Sequence, residues 1–277
     1  MAASTLLIPG RAGKKNLIIQ LFTLSTVCDN FTLIIHGPTE AMDMAPLDEN
    51  TTQFLTQVST ATLTTQLFKR GLRNAFLYGL RPLNADAASF VAEAVTLRYI
   101  PAREDIDTLS VFDDYDHPQR AAIELTGPGQ ALVMDCRGDG RAASSGEILV
   151  NRLIARGAAA IITDGSLRDS PGISKLDFPA FAGSVSATTN LTLHHAVESQ
   201  VPIACAGVPI YPADILVGDA EGIVCIPRHL AEEVAVAAAA QEHQEDFILE
   251  RIRAGAPLRG TYPPNEETLA AYSKWKK

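Results

Sequence analysis

The stretch Ile161-Ile162-Thr163-Asp164-Gly165-Ser166-Leu167-Arg168-Asp169-Ser170 decides how the chain is read. An apolar run with the look of a buried strand stops at Thr163, and Asp164, Arg168 and Asp169 follow at once. Upstream, Ala131 to Cys136 is a second apolar strand, and the helical pattern from Gly146 to Arg156 lies between the two, closed by Gly157. Downstream come strand-like runs at Phe178-Pro179-Ala180-Phe181, Ile203 to Val208, Pro209 to Asp219 and Gly222 to Pro227. An Ala-rich helix from Leu230 to Arg253 ends the series. Strands alternating with helices predict an α/β layered domain.

The N-terminal half is less regular. Phe54, Val58, Leu63 and Leu67 recur at helical spacing, which predicts one helix from Thr51 to Arg70 with Gly71 as its C-cap. Phe90 to Tyr99 reads as a strand. The acidic segment Arg103 to Gln119 reads as a surface loop with some helix. Residues 1–50 are set apart as an N-terminal extension, either disordered or the product of a start codon placed too far upstream. Within it, Lys14-Lys15 and the apolar Leu17 to Val27 resemble a signal peptide faintly. No clean cleavage site follows, Asp29-Asn30 interrupt the run, and it is too short to span a bilayer. The catalytic domain is expected over residues 51–254, with a C-terminal tail at 255–277.

The 277 residues carry a net charge of -9, which argues against nucleic acid as a partner and fits simple solubility. Cys28, Cys136, Cys205 and Cys225 lie far apart, so neither a zinc site nor a disulfide framework is expected. Reduced thiols in a cytoplasmic protein fit better.

Gly138-Asp139-Gly140-Arg141-Ala142-Ala143 matches G-x-G-x-x-A after a strand. In a dinucleotide fold the third small residue already lies inside the helix, whereas Ser144-Ser145-Gly146 predict more loop here. A glycine turn is the preferred reading, and nicotinamide binding is not expected.

Ser145-Gly146-Glu147-Ile148-Leu149 opens a helix whose first N–H groups lack intrahelical partners, a setting that suits a carboxylate or phosphate. If the strands at 131 and 158 are neighbours, Arg168 and Asp169 open at the same sheet edge. Arg168 then grips an anionic oxygen and Asp169 a hard divalent cation. A surface Arg–Asp pair of little consequence stands beside that reading.

The runs Gly146-Glu147-Ile148-Leu149, Arg156-Gly157-Ala158-Ala159 and Thr163-Asp164-Gly165-Ser166-Leu167-Arg168-Asp169 resemble the RraA-like family. That family includes the class II 4-hydroxy-4-methyl-2-oxoglutarate/4-carboxy-4-hydroxy-2-oxoadipate aldolases. Val201-Pro202-Ile203, Gly207-Val208, Pro212-Ala213-Asp214, Gly218-Asp219-Ala220-Glu221-Gly222 and Ser59-Thr60-Ala61-Thr62 resemble its further elements, from about Val58 to Ala254. The resemblance implies a swivelling β/β/α fold, trimers or paired trimers, and a site at a subunit boundary. It implies Mg²⁺ or Mn²⁺ on Asp169 and the 2-oxo group on Arg168. The amides of Ile148 and Leu149, beside Gly146, would receive a pyruvyl carboxylate, and Glu245 would reach a neighbouring subunit's site. The implied activity is a metal-dependent lyase acting on a 2-oxo acid through a pyruvate enolate, by retro-aldol cleavage or by decarboxylation of oxaloacetate. Ribonuclease E regulators of the same family have lost the Asp of the Arg-Asp pair, which this chain keeps. A non-enzymatic regulator is the alternative.

The sequence also departs from the aldolase pattern. Glu147 stands where Asp is usual, Ala213 replaces a Gly, and Thr65 lies where many members carry Asp. The segment from Leu97 to Gly127 is longer than in the compact aldolases. His243 on the long helix is a possible proton carrier, and a solvated helix face is the simpler reading of Gln241 to Glu245. His194-His195 are read in a helical stretch, where adjacent residues do not share a face. His117 faces either the pocket or water.

Overall fold

The computed structural model describes residues 3–8, 17–22 and 46–275. The chain divides into Met1–Pro46 and Leu47–Lys277. In the first unit β1 (Ala3–Ile8) pairs antiparallel with β2 (Leu17–Phe22). Cys28, Lys14-Lys15 and the Asp29-Asn30 interruption lie outside the described residues.

The second unit opens with α1 (Glu49–Gln57) and α2 (Thr60–Lys69), where the spacing predicts a single helix. The break is at Val58 and Ser59, both extended, and the Ser59 side chain accepts the Thr62 N–H at 3.2 Å as an N-cap. Gly71, at φ 84°, closes α2. There follow β3 (Arg81–Pro82), β4 (Phe90–Pro101), α3 (Pro118–Leu125), β5 (Gln130–Asp135) and β6 (Ala143–Ser145). Then come α4 (Glu147–Ala155), β7 (Ala160–Leu167), α5 (Ser170–Ile173), β8 (Ala180–Val185) and β9 (His194–Ser199). The hairpin β10 (Ile203–Cys205) and β11 (Val208–Ile210) precedes β12 (Ile215–Gly218), β13 (Ile223–Ile226) and the long α6 (Ala231–Arg253). Two short helices, α7 (Leu258–Thr261) and α8 (Glu266–Tyr272), follow. The C-terminal segment folds back on α6, with the Trp275 ring 5.6 Å from that of Phe247 and 5.1 Å from that of His243. No helix among the described residues is long and apolar enough to cross a membrane.

The main sheet runs β13-β12-β4-β5-β7-β8-β3, with β9 beside β4 and β6 beside β7. Its centre, β4-β5-β7-β8, is parallel, and the flanking pairs are antiparallel. Both faces of the centre are buried, so its strands read as unbroken apolar runs. Along β5, Ala131 and Val133 face the β10–β11 hairpin, while Leu132 and Met134 face α3 and α4. The hairpin, the sheet and the helices thus form β, β and α layers of an α/β fold. A third cluster seats α1, α2 and α6 on β12 and β13 through Leu55, Leu63, Leu67, Val217, Val234 and Ala238.

Several sequence expectations are corrected. Ser144-Ser145, expected as loop, lie in β6 before α4 begins, while the glycine turn ahead of them forms no dinucleotide fingerprint, as expected. His194-His195 lie in a strand, not a helix. The run Ile203 to Val208 is a hairpin, turned at Ala206 and Gly207, both at positive φ. Most consequential, β7 does not end at Thr163 but continues through Asp164 to Leu167, with an irregularity against β8 between Thr163 and Ser166.

That irregularity seats Asp164. The residue is 7% exposed, and its carboxylate accepts three main-chain N–H groups: Cys136 at 2.6 Å, Gly138 at 2.9 Å and Ala206 at 3.2 Å. Burial pushes its pKa up, against the pull of those bonds. Gly165 is required beside it, because a Cβ there would lie 2.8 Å from that of Cys136. Asp164→Ala leaves three N–H groups without an acceptor and is expected to cost about 3–5 kcal/mol in urea unfolding. The thiols of Cys136, Cys205 and Cys225 are buried, and burial raises that of Cys136 to about 12. All three are expected to resist a thiol reagent at pH 8 in the native protein and to react on unfolding.

Candidate functional site

At the C-terminal end of β7, the Arg168 N–H donates to Ser145 O at 3.0 Å, tying the end of β6 to that of β7. Gly146 follows as the N-cap of α4, with no side chain to satisfy the helix start. Asp169 takes that role from across the gap, since its Oδ2 accepts the Glu147 N–H at 3.3 Å. The same oxygen lies 3.4 Å from Nε of Arg168. A Cβ at Gly146 would fall 2.8 Å from Asp169 Oδ2 and 2.9 Å from Arg168 Cγ, so only glycine admits this approach. Asp169 holds a left-handed conformation (φ 58°, ψ 27°), uncommon outside glycine. Its carbonyl accepts the Gly172 and Ile173 N–H groups of α5 at 2.9 and 3.2 Å. The Glu147 carboxylate packs over Gly172.

These groups border a cavity of about 220 Å³. Gly146, Ile148, Leu149, Arg168 and Asp169 all line it, so five of the residues named from sequence come together. Glu147 does not line it and meets the site only through the N–H it gives to Asp169 Oδ2. Glu245 does not join: it lines a separate groove with Ser59, Glu242 and Tyr262, and its Oε1 accepts from Gln241 at 2.9 Å.

Other residues of the cavity have weaker sequence signals. Phe112, Gln119 and Arg120 come from the long segment after β4, and Ser144, Ser145, Thr189 and Asn190 complete the wall. Pro118 behind His117 is a helix-start signal that places Gln119 and Arg120 in a first turn. Nothing in the sequence around Asn190 marks it. Gln119 Nε2 donates to Ser144 O at 2.5 Å, while Ser145 Oγ and Asn190 Nδ2 are buried without a partner among the described residues. Nearby, His195 Nδ1 bonds Asp107 at 2.7 Å, and burial followed by the charge of Arg120 lowers the His117 pKa. Among the described residues no three His, Cys, Asp or Glu side chains cluster as metal ligands.

The RraA-like (Aldolase/RraA) sequence profile matches residues 26–225, well over half of the chain. The chain belongs to the RraA-like family. The match starts within the first fifty residues and stops before α6. A Halalkalibacterium halodurans protein, provisionally named a 4-hydroxy-4-methyl-2-oxoglutarate aldolase, is 36% identical over 114 residues, or 41% of this chain and 53% of that protein. The alignment thus spans about half the length of that relative. The Thermus thermophilus protein named 4-hydroxy-4-methyl-2-oxoglutarate aldolase is 28% identical over 124 residues, covering 44% of this chain and 74% of that protein. The crystal structure of Streptomyces coelicolor RraAS2, described as an unusual member of the RNase ES inhibitor RraA protein family, has a TM-score of 0.65 at 28% identity. It covers 74% of this chain and 98% of that one.

Two family-like motifs meet away from the cavity. The Thr60 N–H and Oγ1 donate to Asp219 at 2.9 and 3.0 Å, and the Ser59 N–H and Oγ donate to Glu242 Oε1 at 2.8 and 2.7 Å. Burial alone would raise the Glu242 pKa, but the bonds from Ser59 and Thr62 prevail and lower it. A carboxyl lowered by folding adds stability that is complete above its unfolded pKa, near ~4.3, and is lost as pH falls through the folded value. The stability difference between the wild type and Glu242→Gln is therefore expected to be largest at neutral pH. It should shrink as urea unfolding is repeated at successively lower pH below ~4.

Proposed function

We propose that this RraA-like protein is a divalent-metal-dependent lyase that breaks a C–C bond of a 2-oxo acid through a pyruvate enolate. Retro-aldol cleavage is its main reaction and oxaloacetate decarboxylation a side activity. The observation that carries the reading is the junction of Arg168 and Asp169 with the open start of α4 in one cavity. The names of the H. halodurans and T. thermophilus relatives support it.

The donor set fits a hard cation. Asp169, with its side chain 44% exposed, offers carboxylate oxygen, Glu147 lies close by, and no thiolate or imidazole cluster competes among the described residues. Mg²⁺ or Mn²⁺ is held in this manner, by one or two carboxylates with water and substrate oxygens in the remaining positions. When bound, such a cation stabilises the charge that develops as the C–C bond breaks.

The chain's own groups do the rest. The Glu147 and Leu149 N–H groups already have acceptors, Asp169 Oδ2 and Gly146 O, which leaves the Ile148 amide to receive the substrate carboxylate. The Arg168 guanidinium binds the 2-oxo oxygen and holds the charge that grows there. Glu147, whose N–H bonds Asp169 Oδ2 and whose carboxylate packs over Gly172, would orient water or a proton beside the site. Glu245, remote from the cavity in its own chain, would contribute only across a subunit boundary, so the active form is a homotrimer or homohexamer. Cytoplasmic residence suits its buried, reduced thiols.

The likeness to RraAS2 favours a second reading, a regulator that uses the fold without chemistry. One assay separates the two: pyruvate release from oxaloacetate and from 4-hydroxy-4-methyl-2-oxoglutarate with Mg²⁺. The lyase is expected to stop with EDTA, and Asp169→Asn to lower kcat/KM at least ~100-fold. Absence of turnover in protein that binds Mg²⁺ would favour the regulator.

A further inference from the structure

Two serines stand side by side at the end of β6, and the fold uses only one of their hydroxyls. Ser144 Oγ has two partners, Thr163 Oγ1 at 3.0 Å and the Ser166 carbonyl oxygen at 3.1 Å. Those bonds tie β6 to β7. Ser145 is as deeply buried, at 4% exposure, yet its Oγ has no partner among the described residues. A hydroxyl held out of water without a bond destabilises the fold, and an alanine would fill the same place without that cost. Buried polar atoms are normally bonded, so packing alone gives no reason for a serine here.

Its position supplies a reason. Ser145 lines the cavity directly ahead of Gly146, where α4 starts without a side-chain cap. Its carbonyl accepts the Arg168 N–H at 3.0 Å, which fixes the Ser145 main chain beside the Arg168–Asp169 corner. The hydroxyl turns on a short side chain, so it can meet an incoming oxygen with little loss of conformational freedom. A carboxylate is an acceptor for several donors at once. At this helix start the Glu147 and Leu149 N–H groups are already engaged, so a side-chain donor adds what the main chain lacks.

We infer that the Ser145 hydroxyl contacts the substrate, donating to the carboxylate seated at the start of α4. The inference rests on the lyase reading, which identifies that carboxylate as the head of a 2-oxo acid, and it gives the head a side-chain donor besides the main chain of α4. Ser145 binds the head and takes no part in breaking the C–C bond. The hydroxyl is a strain on the empty protein that the ligand relieves.

Two measurements on the full chain test this. In thermal unfolding without ligand, Ser145→Ala is expected to match or exceed the wild-type midpoint, because it removes a buried hydroxyl that has no bond. Ser144→Ala, which breaks bonds the fold uses, should unfold at least ~2 °C below the wild type. In calorimetric titration with oxalate, a planar mimic of the pyruvyl head, in the presence of Mg²⁺, Ser145→Ala should bind ~10–100-fold more weakly than the wild type, the range for a hydrogen bond to a charged group. A serine with a purely structural role would give the reverse pattern. Unfolding of Ser145→Ala below the wild type, equal affinities for oxalate, or a wild type that binds no oxalate would each overturn the assignment. Neither readout depends on turnover, so the two proposals fail separately. Ser145-dependent oxalate binding without turnover removes only the lyase, and turnover whose KM is unmoved by Ser145→Ala removes only this contact.

Discussion

One carboxylate in the middle of a buried strand holds three separate pieces of main chain together. Asp164 bonds the end of β5, the glycine turn after it and the tip of the β10–β11 hairpin. Asp135 helps on the next strand, accepting the Arg137 and Ala204 N–H groups at 2.9 and 3.2 Å. The hairpin is one layer of the fold and β7 the centre of another, so these bonds set the spacing between layers. They also fix the register of β7, and with it the positions of Arg168 and Asp169, four and five residues further on. A buried acid costs desolvation, which three N–H donors offset.

The layered α/β fold was legible because its central strands are buried on both faces and therefore read as apolar runs. Local errors fall where tertiary bonds override the pattern. An Asp-Gly pair after an apolar run looks like a turn, yet here the acid finds its donors on other strands and the strand continues. One helix became two because the Ser59 hydroxyl caps the second, and its carboxylate partner, Glu242, lies far away in sequence. At the site, Gly146, Ile148, Leu149, Arg168 and Asp169 were legible because they sit in two short runs. Arg120 and Asn190 were not. They reach the same cavity from segments that share no spacing with those runs, and only the coordinates bring them there.

The cavity lining holds chemically different groups. Where α4 begins, a guanidinium, a carboxylate and a helix start are crowded so closely that no Cβ fits at Gly146. The Arg120 guanidinium stacked on Phe112, and the unbonded Ser145 Oγ and Asn190 Nδ2, line the same cavity from three different segments. His117, at the head of α3, and the Asp107–His195 pair buttress the segment that carries Arg120.

The left-handed backbone at Asp169 also bears on how such a protein changes over time. Most side chains are strained in that conformation, and the residues that visit it most readily are glycine, asparagine and aspartate. Two of those three have no negative charge. Replacement by asparagine exchanges an oxygen for an amide nitrogen with little disturbance to the turn or to α5. A scaffold of this shape therefore stands one nucleotide change away from losing the Asp169 carboxylate while keeping its turn and its fold.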